Sequence, residues 1–284
     1  MVRTLSTYLF VKRKLTPALL TEIARHGFTA VEIFCARSHF NYQSADVVRE
    51  IAGALRDHNL TLHALHAPAE RDFNPMHESG APLSICDPER TRRLEAVDEI
   101  KRALDVAEYV PFRYLVQHMG SSRDAVDERR FEAAFSSLEH LHLFAKARGV
   151  TLALENTPGE LATPAHLRQF IIDTRLTDLR LCFDIGHAHI GDGVQASLEA
   201  MRESLVTSHI HDNHGMKDEH LLPYEGTIEW KTALPALPAD LPLVFELKEK
   251  PAYADPAPAS VALSAARSAF DRVEQALASP ESES

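Results

Sequence analysis

Six short apolar runs in this chain end on a residue able to bind a cation. His66 follows the run Leu60–Leu65, His118 the run Tyr114–Gln117, and Glu155 the run Val150–Leu154. Asp184 follows Leu179–Phe183, His211 follows Val206–Ile210, and Glu246 follows Leu243–Phe245. Three more candidates stand close by: His187, three residues after Asp184, and Asp218 and His220 in the segment after His211. A lone carboxylate after a strand is an ordinary capping or solvated group. Carboxylates gathered at one place repel each other and are costly to desolvate, and a divalent cation offsets both effects. Imidazole mixed with carboxylate suits Zn²⁺, Mn²⁺ or Fe²⁺ better than Ca²⁺. The pattern predicts a site for one to three divalent ions (Mn²⁺, Zn²⁺, Fe²⁺ or Mg²⁺).

Such a site forms only if the run ends converge. Two more runs, Leu5–Phe10 and Ala30–Phe34 (with Glu32 inside it), bring the number of strand candidates to eight. Their near-continuous apolar character suits strands covered on both faces. Helical spacing lies between them. Thr16–His26 opens with Thr16 as N-cap and Pro17 at N1, and closes at Gly27. Asp87–Ala107 and Glu128–Arg148 carry apolar stripes, Thr163-Pro164 starts another helix, and the last helix lies within Pro258–Ala278. Eight strands alternating with helices over about 250 residues predict a single (β/α)₈ barrel over 1–278, whose strand C-termini meet at one mouth. No GxGxxG follows the first strand to support an open nucleotide-binding sheet.

Composition narrows the partners. The formal charge is −11 over 284 residues, which argues against affinity gained by neutralising a phosphate backbone. The three cysteines are scattered, with no CxxC. No apolar run approaches transmembrane length, so a cytoplasmic protein with no membrane partner is expected. The polar, acidic tail 279–284 is expected to be disordered. The number of chains in the assembly is left open.

The segments Leu154-Glu155-Asn156-Thr157-Pro158-Gly159, Phe183-Asp184-Ile185-Gly186-His187 and His211–Leu221, closing on Gly226, resemble the xylose-isomerase-like barrel superfamily of sugar isomerases, epimerases and endonuclease IV. The resemblance runs from about Leu5 to Ala278. By likeness to its ketose epimerases, Glu155, Asp184, His211 and Glu246 would hold one metal. Glu155 and Glu246 would also move the proton of a hydroxy-carbonyl substrate through a metal-stabilised enediolate. His187 would hydrogen-bond a substrate oxygen. In the loop after the seventh strand, where those epimerases use an arginine, this chain has Met216-Lys217 and no arginine, and Lys217 is a candidate to bind a carboxylate or phosphate. By likeness to endonuclease IV, which binds three zincs, His66 and His118 would join Glu155 around one ion, and His187, Asp218 and His220 would surround another. That enzyme's Tyr after His-Ala-Pro is replaced here by Ala69-Glu70. The resemblance implies a metal-dependent isomerase or epimerase acting on a small sugar-like compound, with a metal-dependent phosphodiesterase or other hydrolase as the alternative.

Other residues have ordinary readings beside functional ones. His189 and His214 flank ligand positions and are candidate substrate contacts. Trp230 and Tyr224 are candidates to wall a sugar pocket, with packing at the start of a helix as the alternative for Trp230. His209, two residues before His211, points to the same side one layer lower and reads as an interior histidine. His63 should turn to the opposite face from His66. Asn156 and Asn213 are candidates to orient ligands. His26, His39, His58, His77, His140, His142 and His166 are expected at the surface.

Overall fold

The computed structural model describes residues 2–74, 79–249 and 258–278. Eight parallel strands close into a barrel: β1 (Thr4–Ser6), β2 (Ala30–Phe34), β3 (Thr61–His66), β6 (Tyr114–His118), β7 (Thr151–Glu155), β8 (Arg180–Asp184), β9 (Leu205–Ile210) and β10 (Leu243–Phe245). Their order is β1-β10-β9-β8-β7-β6-β3-β2, and the ring closes by pairing Leu5 with Phe245. This is the (β/α)₈ barrel that the alternation of runs predicts. His77, the loop 251–257 and the tail 279–284 lie outside the described residues.

Several strands include the polar residue that follows the apolar run. His66, His118, Glu155 and Asp184 are each the last residue of their strand. The first run divides: β1 stops at Ser6, whose hydroxyl accepts the Tyr8 N–H and starts a 3-10 turn over Thr7–Phe10. Leu9 and Phe10 are therefore buried in a turn rather than in a strand.

Caps fix the helix starts. α1 (Pro17–Arg25) has the predicted Thr16 cap, which accepts the Leu19 N–H. α3 (Arg90–Leu104) starts three residues later than its apolar pattern, because the Glu89 carboxylate accepts the Thr91 and Arg92 N–H groups. α4 (Glu128–Lys146) is capped by Asp127 and α5 (Pro164–Thr174) by Thr163. The shell also holds α2 (Ala45–Asp57), α7 (Val194–Met201) and α8 (Trp230–Ala236). The last helix, α9 (Ala259–Ala278), packs Phe270 against Phe245 of β10 and Phe28 before β2.

Two features lie outside the eight-unit pattern. An antiparallel hairpin, β4 (Glu70–Asn74) and β5 (Ser79–Pro82), is inserted after β3. The second is a bulge: β2–β3 pairing runs from Val31↔Leu62 to Glu32↔Ala64 and skips His63. The bulge shifts the period-two alternation, so His63 bonds Thr207 at 3.0 Å instead of facing a helix. β3 and β9 are not neighbours in the ring, so this contact crosses the barrel interior. Val116, Ala153 and Cys182 form a small apolar layer there.

Candidate metal centre

The strand ends bring the predicted residues together. Glu155 stands at the centre, and its two carboxylate oxygens face different partners. Oε2 lies 3.3 Å from His66 Nε2 and 3.0 Å from His118 Nε2. Oε1 lies 2.8 Å from His209 Nδ1. The same His209 nitrogen is 3.3 Å from Glu246 Oε2 and 3.7 Å from Asp184 Oδ2. On the far side, His187 and His220 both approach Asp218 Oδ2, at 3.2 and 2.9 Å. Glu155, Asp184, His209 and Glu246 form one group of donors lying within 4.8 Å of one another, and His66, His118 and Glu155 form a second.

His209, read from the sequence as an interior histidine, also lies among these donors, grouped with Glu155, Asp184 and Glu246. His211 bonds Asp184 from the other side, at 3.0 Å, and groups with Asp184 and His187 or with Asp218 and His220. His209 and His211 thus stand on the same side, one layer apart, and the strand-end carboxylates lie between them.

The free ring nitrogens support this grouping. A carbonyl or carboxylate oxygen can only accept, so the nitrogen facing it must donate. His66 Nδ1 donates to Ala67 O at 3.0 Å, His187 Nδ1 to Asn156 O at 2.9 Å and His220 Nδ1 to Glu246 O at 3.0 Å. His209 Nε2 donates to Glu32 Oε2 at 3.1 Å. In each ring the other nitrogen is aimed at the carboxylates, so it is the one that would give up its proton and bind a metal held there. His211 has no such partner: its Nδ1 is buried and unbonded among the described residues. Glu32, legible only as a carboxylate inside a strand, is thus the group that orients His209.

The backbone around the ligands is held as tightly. Asn156 Nδ2 donates to Asp184 O at 2.9 Å while Asp184 N donates to Asn156 Oδ1 at 2.8 Å. Asp184 also caps α6 (Ile185–Ile190), accepting the His187 N–H at 2.6 Å. Gly186 is required, because a Cβ there would stand 2.0 Å from His211 Cε1. Asn213 Nδ2 donates to Gly186 O at 2.9 Å. Asp212, a buried residue not singled out by its spacing, accepts from Trp230 Nε1 at 2.7 Å and from the Tyr224 and Ile228 N–H groups at 3.0 and 3.2 Å. That carboxylate folds the β9 loop so that Asp218 and His220 reach the mouth.

The other predicted contacts separate. Lys217 lines a cleft of about 1030 Å³ together with His118, His187 and Asp218. Trp230 is buried and serves the Asp212 network, so the packing alternative holds and it is not a wall of the cleft. His189 bonds Thr227 Oγ1 at 3.0 Å and His214 bonds Glu219 at 2.8 Å. Both tie the loop together rather than line the cleft. His39, expected at the surface, is buried under the 3-10 turn.

Charge explains why cations fit. Glu155, Asp184 and Glu246 are buried. Burial would raise the Glu155 pKa, but His209 and His118 hold it well below the carboxylate range. The reciprocal effect, against the same burial, pushes His66, His187 and His209 up and takes His220 to about 9. The buried carboxylates are thus paired with imidazoles, whose place as the balancing charge a divalent cation could take, and the donors are the nitrogen and oxygen types that divalent transition metals bind.

The xylose isomerase-like TIM barrel family matches residues 20–267. An uncharacterized protein of Methanocaldococcus jannaschii is 30% identical over 242 residues, covering 82% of this chain and 78% of that protein. A probable endonuclease 4 of Natronomonas pharaonis is 25% identical over 207 residues, 66% of this chain and 70% of that protein. Among solved structures, a D-tagatose 3-epimerase-like protein superposes with a TM-score of 0.77 at 23% identity, covering 98% of this chain and 97% of that one. The IolI protein with a bound zinc atom superposes with a TM-score of 0.76 at 18% identity, covering both chains fully (100% each). At these identities the structural likenesses speak for the barrel itself. No helix among the described residues is long and apolar enough to cross a membrane. This chain belongs to the xylose isomerase-like TIM barrel family.

Proposed function

We propose that the chain is a divalent-metal-dependent hydrolase of phosphate esters, acting on a small sugar-like substrate with up to three ions at the barrel mouth. The observation that carries this reading is the position of Glu155. Its two oxygens face two different histidine groups, His66 with His118 and His209 with its carboxylates, as expected of a carboxylate shared between neighbouring ions. His187, Asp218 and His220 supply donors for a third position. Clustered divalent ions would supply a nucleophilic water and neutralise charge on a phosphoryl group.

The chain's own residues do the rest. Glu32 and the carbonyls of Ala67, Asn156 and Glu246 hold the imidazoles in one tautomer. Asp212 holds the loop that delivers Asp218 and His220. Lys217, exposed at the cleft, offers a point charge to a phosphate or carboxylate. The charge of −11 and the confined cleft favour a small ester over duplex nucleic acid. The sequence relative named as a probable endonuclease 4 supports the same class of chemistry.

Isomerisation or epimerisation of a sugar is the second reading, favoured by Glu246 and by the epimerase-like solved neighbours. Glu246 lies at the mouth with its Oε2 facing His209 Nδ1 at 3.3 Å, and it is the candidate base of this reading. The two-base scheme also asks for a basic Glu155. Both Glu155 oxygens are engaged, one by His66 and His118 and the other by His209, which weakens it in this role.

Metal analysis combined with two assays decides between them. After dialysis against Zn²⁺ or Mn²⁺, the hydrolase reading expects more than one ion per chain and metal-dependent release of p-nitrophenol from bis(p-nitrophenyl) phosphate. One ion per chain, no ester cleavage and deuterium uptake from D₂O at the carbon next to a ketose carbonyl would establish the second reading instead. Absence of metal after reconstitution would remove both.

A further inference from the structure

A second, smaller hollow of about 160 Å³ lies between the metal residues and the β4–β5 hairpin. Tyr8, Phe34 and Phe73 are its aromatic walls, and Ala69 and Glu70 line both it and the large cleft. The aromatic surface runs directly onto two of the proposed ligands. Phe34 lies 4.8 Å from His66, Tyr8 lies 4.8 Å from His220, and Tyr8 and Phe34 are 4.9 Å apart. An apolar cavity of about 150 Å³ accepts one benzene-sized ring, so the hollow seats a single ring beside the mouth.

Glu70 supplies the only carboxylate in that lining. The Gly80 backbone N–H donates to the carboxyl group, which fixes it against the hairpin. Its Oε2 is buried and has no hydrogen-bond partner among the described residues. A buried oxygen left unpaired beside an open site calls for a donor on the ligand. Gly80 itself cannot be replaced freely, because a Cβ there would stand 2.4 Å from Arg71 O. The hairpin therefore sets the position of Glu70.

We infer that Glu70 is a specificity-determining residue for a substrate bearing one five- or six-membered ring with an O–H or N–H donor on its edge. The ring lies among Tyr8, Phe34 and Phe73 and its donor bonds Glu70 Oε2, leaving the reacting group over the neighbouring ligands. The identity of that group as a phosphate ester rests on the hydrolase reading; the ring seat does not. A sugar ring and a pyrimidine both carry the required chemistry.

The test is isothermal titration of the zinc-loaded chain with four probes: glucose 6-phosphate, cytidine 5′-monophosphate, phenyl phosphate (ring without donor) and glycerol 3-phosphate (donors without ring). At least one of the first two should bind about tenfold more tightly than either of the last two, and which one does identifies the ring. Glu70→Ala should abolish the preference at unchanged zinc content. Glu70→Gln, which keeps an acceptor oxygen, should retain most of it, and Phe34→Ala should weaken the ring-bearing probes selectively. Equal affinity for all four probes, no binding of any of them or of unphosphorylated glucose and cytidine, or an unchanged preference in Glu70→Ala would overturn the inference. Turnover is read separately. Preference without ester cleavage removes the hydrolase reading and leaves the seat standing, whereas cleavage without preference does the reverse.

Discussion

At the residue scale, two histidines two positions apart differ in what stands behind them. His209 has Glu32 on its second nitrogen, and His211 Nδ1 has no partner among the described residues. A carboxylate behind a ligating imidazole fixes the ring and raises its basicity, and losing one typically costs about 10–100-fold in metal affinity. His209→Ala should therefore lower metal content at the Glu155–Asp184–Glu246 group more than His211→Ala does. Glu32→Gln should weaken zinc binding about 10-fold or more while leaving the fold intact. Competition against a chelator of known affinity measures both. Equal zinc affinity in the wild type and Glu32→Gln would show that the Glu32–His209 bond serves stability alone.

At the element scale, the sequence was most readable where one physical rule acted alone. Ala30–Phe34 and Leu243–Phe245 match β2 and β10, and Thr16-Pro17 starts α1, because apolar runs and caps are local signals. The convergence of His66, His118, Glu155 and Asp184 followed from the barrel's rule that strand C-termini share one mouth. What was not readable depended on contacts distant in sequence. The bulge that turns His63 inward exists only in β2–β3 pairing, and the role of Glu32 appears only once β2 and β9 face each other across the barrel. The hairpin that presents Glu70 begins in Ala69-Glu70-Arg71, which carries no strong alternation. Closure also depends on distant parts: α9 seals the β1–β10 seam through Phe270, fully buried and stacked on Phe245 at 4.4 Å. Phe270→Ala should cost about 3–5 kcal/mol in urea unfolding, the range for a large ring lost from a core. A loss below about 1 kcal/mol would mean that the barrel holds together without the helix.

At the scale of the whole molecule, the pH range of stability is linked to a histidine outside the metal centre. His39 is buried beneath the turn that leads into Tyr8, and two bonds fix it as neutral. Its Nδ1 faces Arg13 O at 2.5 Å and must donate; its Nε2 faces Thr7 Oγ1 at 3.0 Å. Thr7 Oγ1 also accepts the Phe34 N–H at 3.0 Å, and with the ring neutral and Nδ1 donating, its own hydrogen goes to Nε2. Protonation of Nε2 would reverse that bond and leave a charge in the core, and burial lowers the His39 pKa from 6.5 to about 4. Between those values the unfolded chain holds a proton that the folded chain refuses, so the His39 contribution to stability falls as pH drops through the window. At pH 5 the loss relative to pH 7.5 is about 2 kcal/mol. Gln at this position can donate and accept but does not titrate. The stability difference between wild type and His39→Gln, from urea unfolding at both pH values, should therefore shift by about that amount against the wild type at pH 5. Using the difference removes the common titration of the metal residues, provided both proteins are studied with the same chelator present. A difference that does not change with pH would mean that the turn opens to admit the proton. The wall of the ring seat formed by Tyr8 and Phe34 would then move with it.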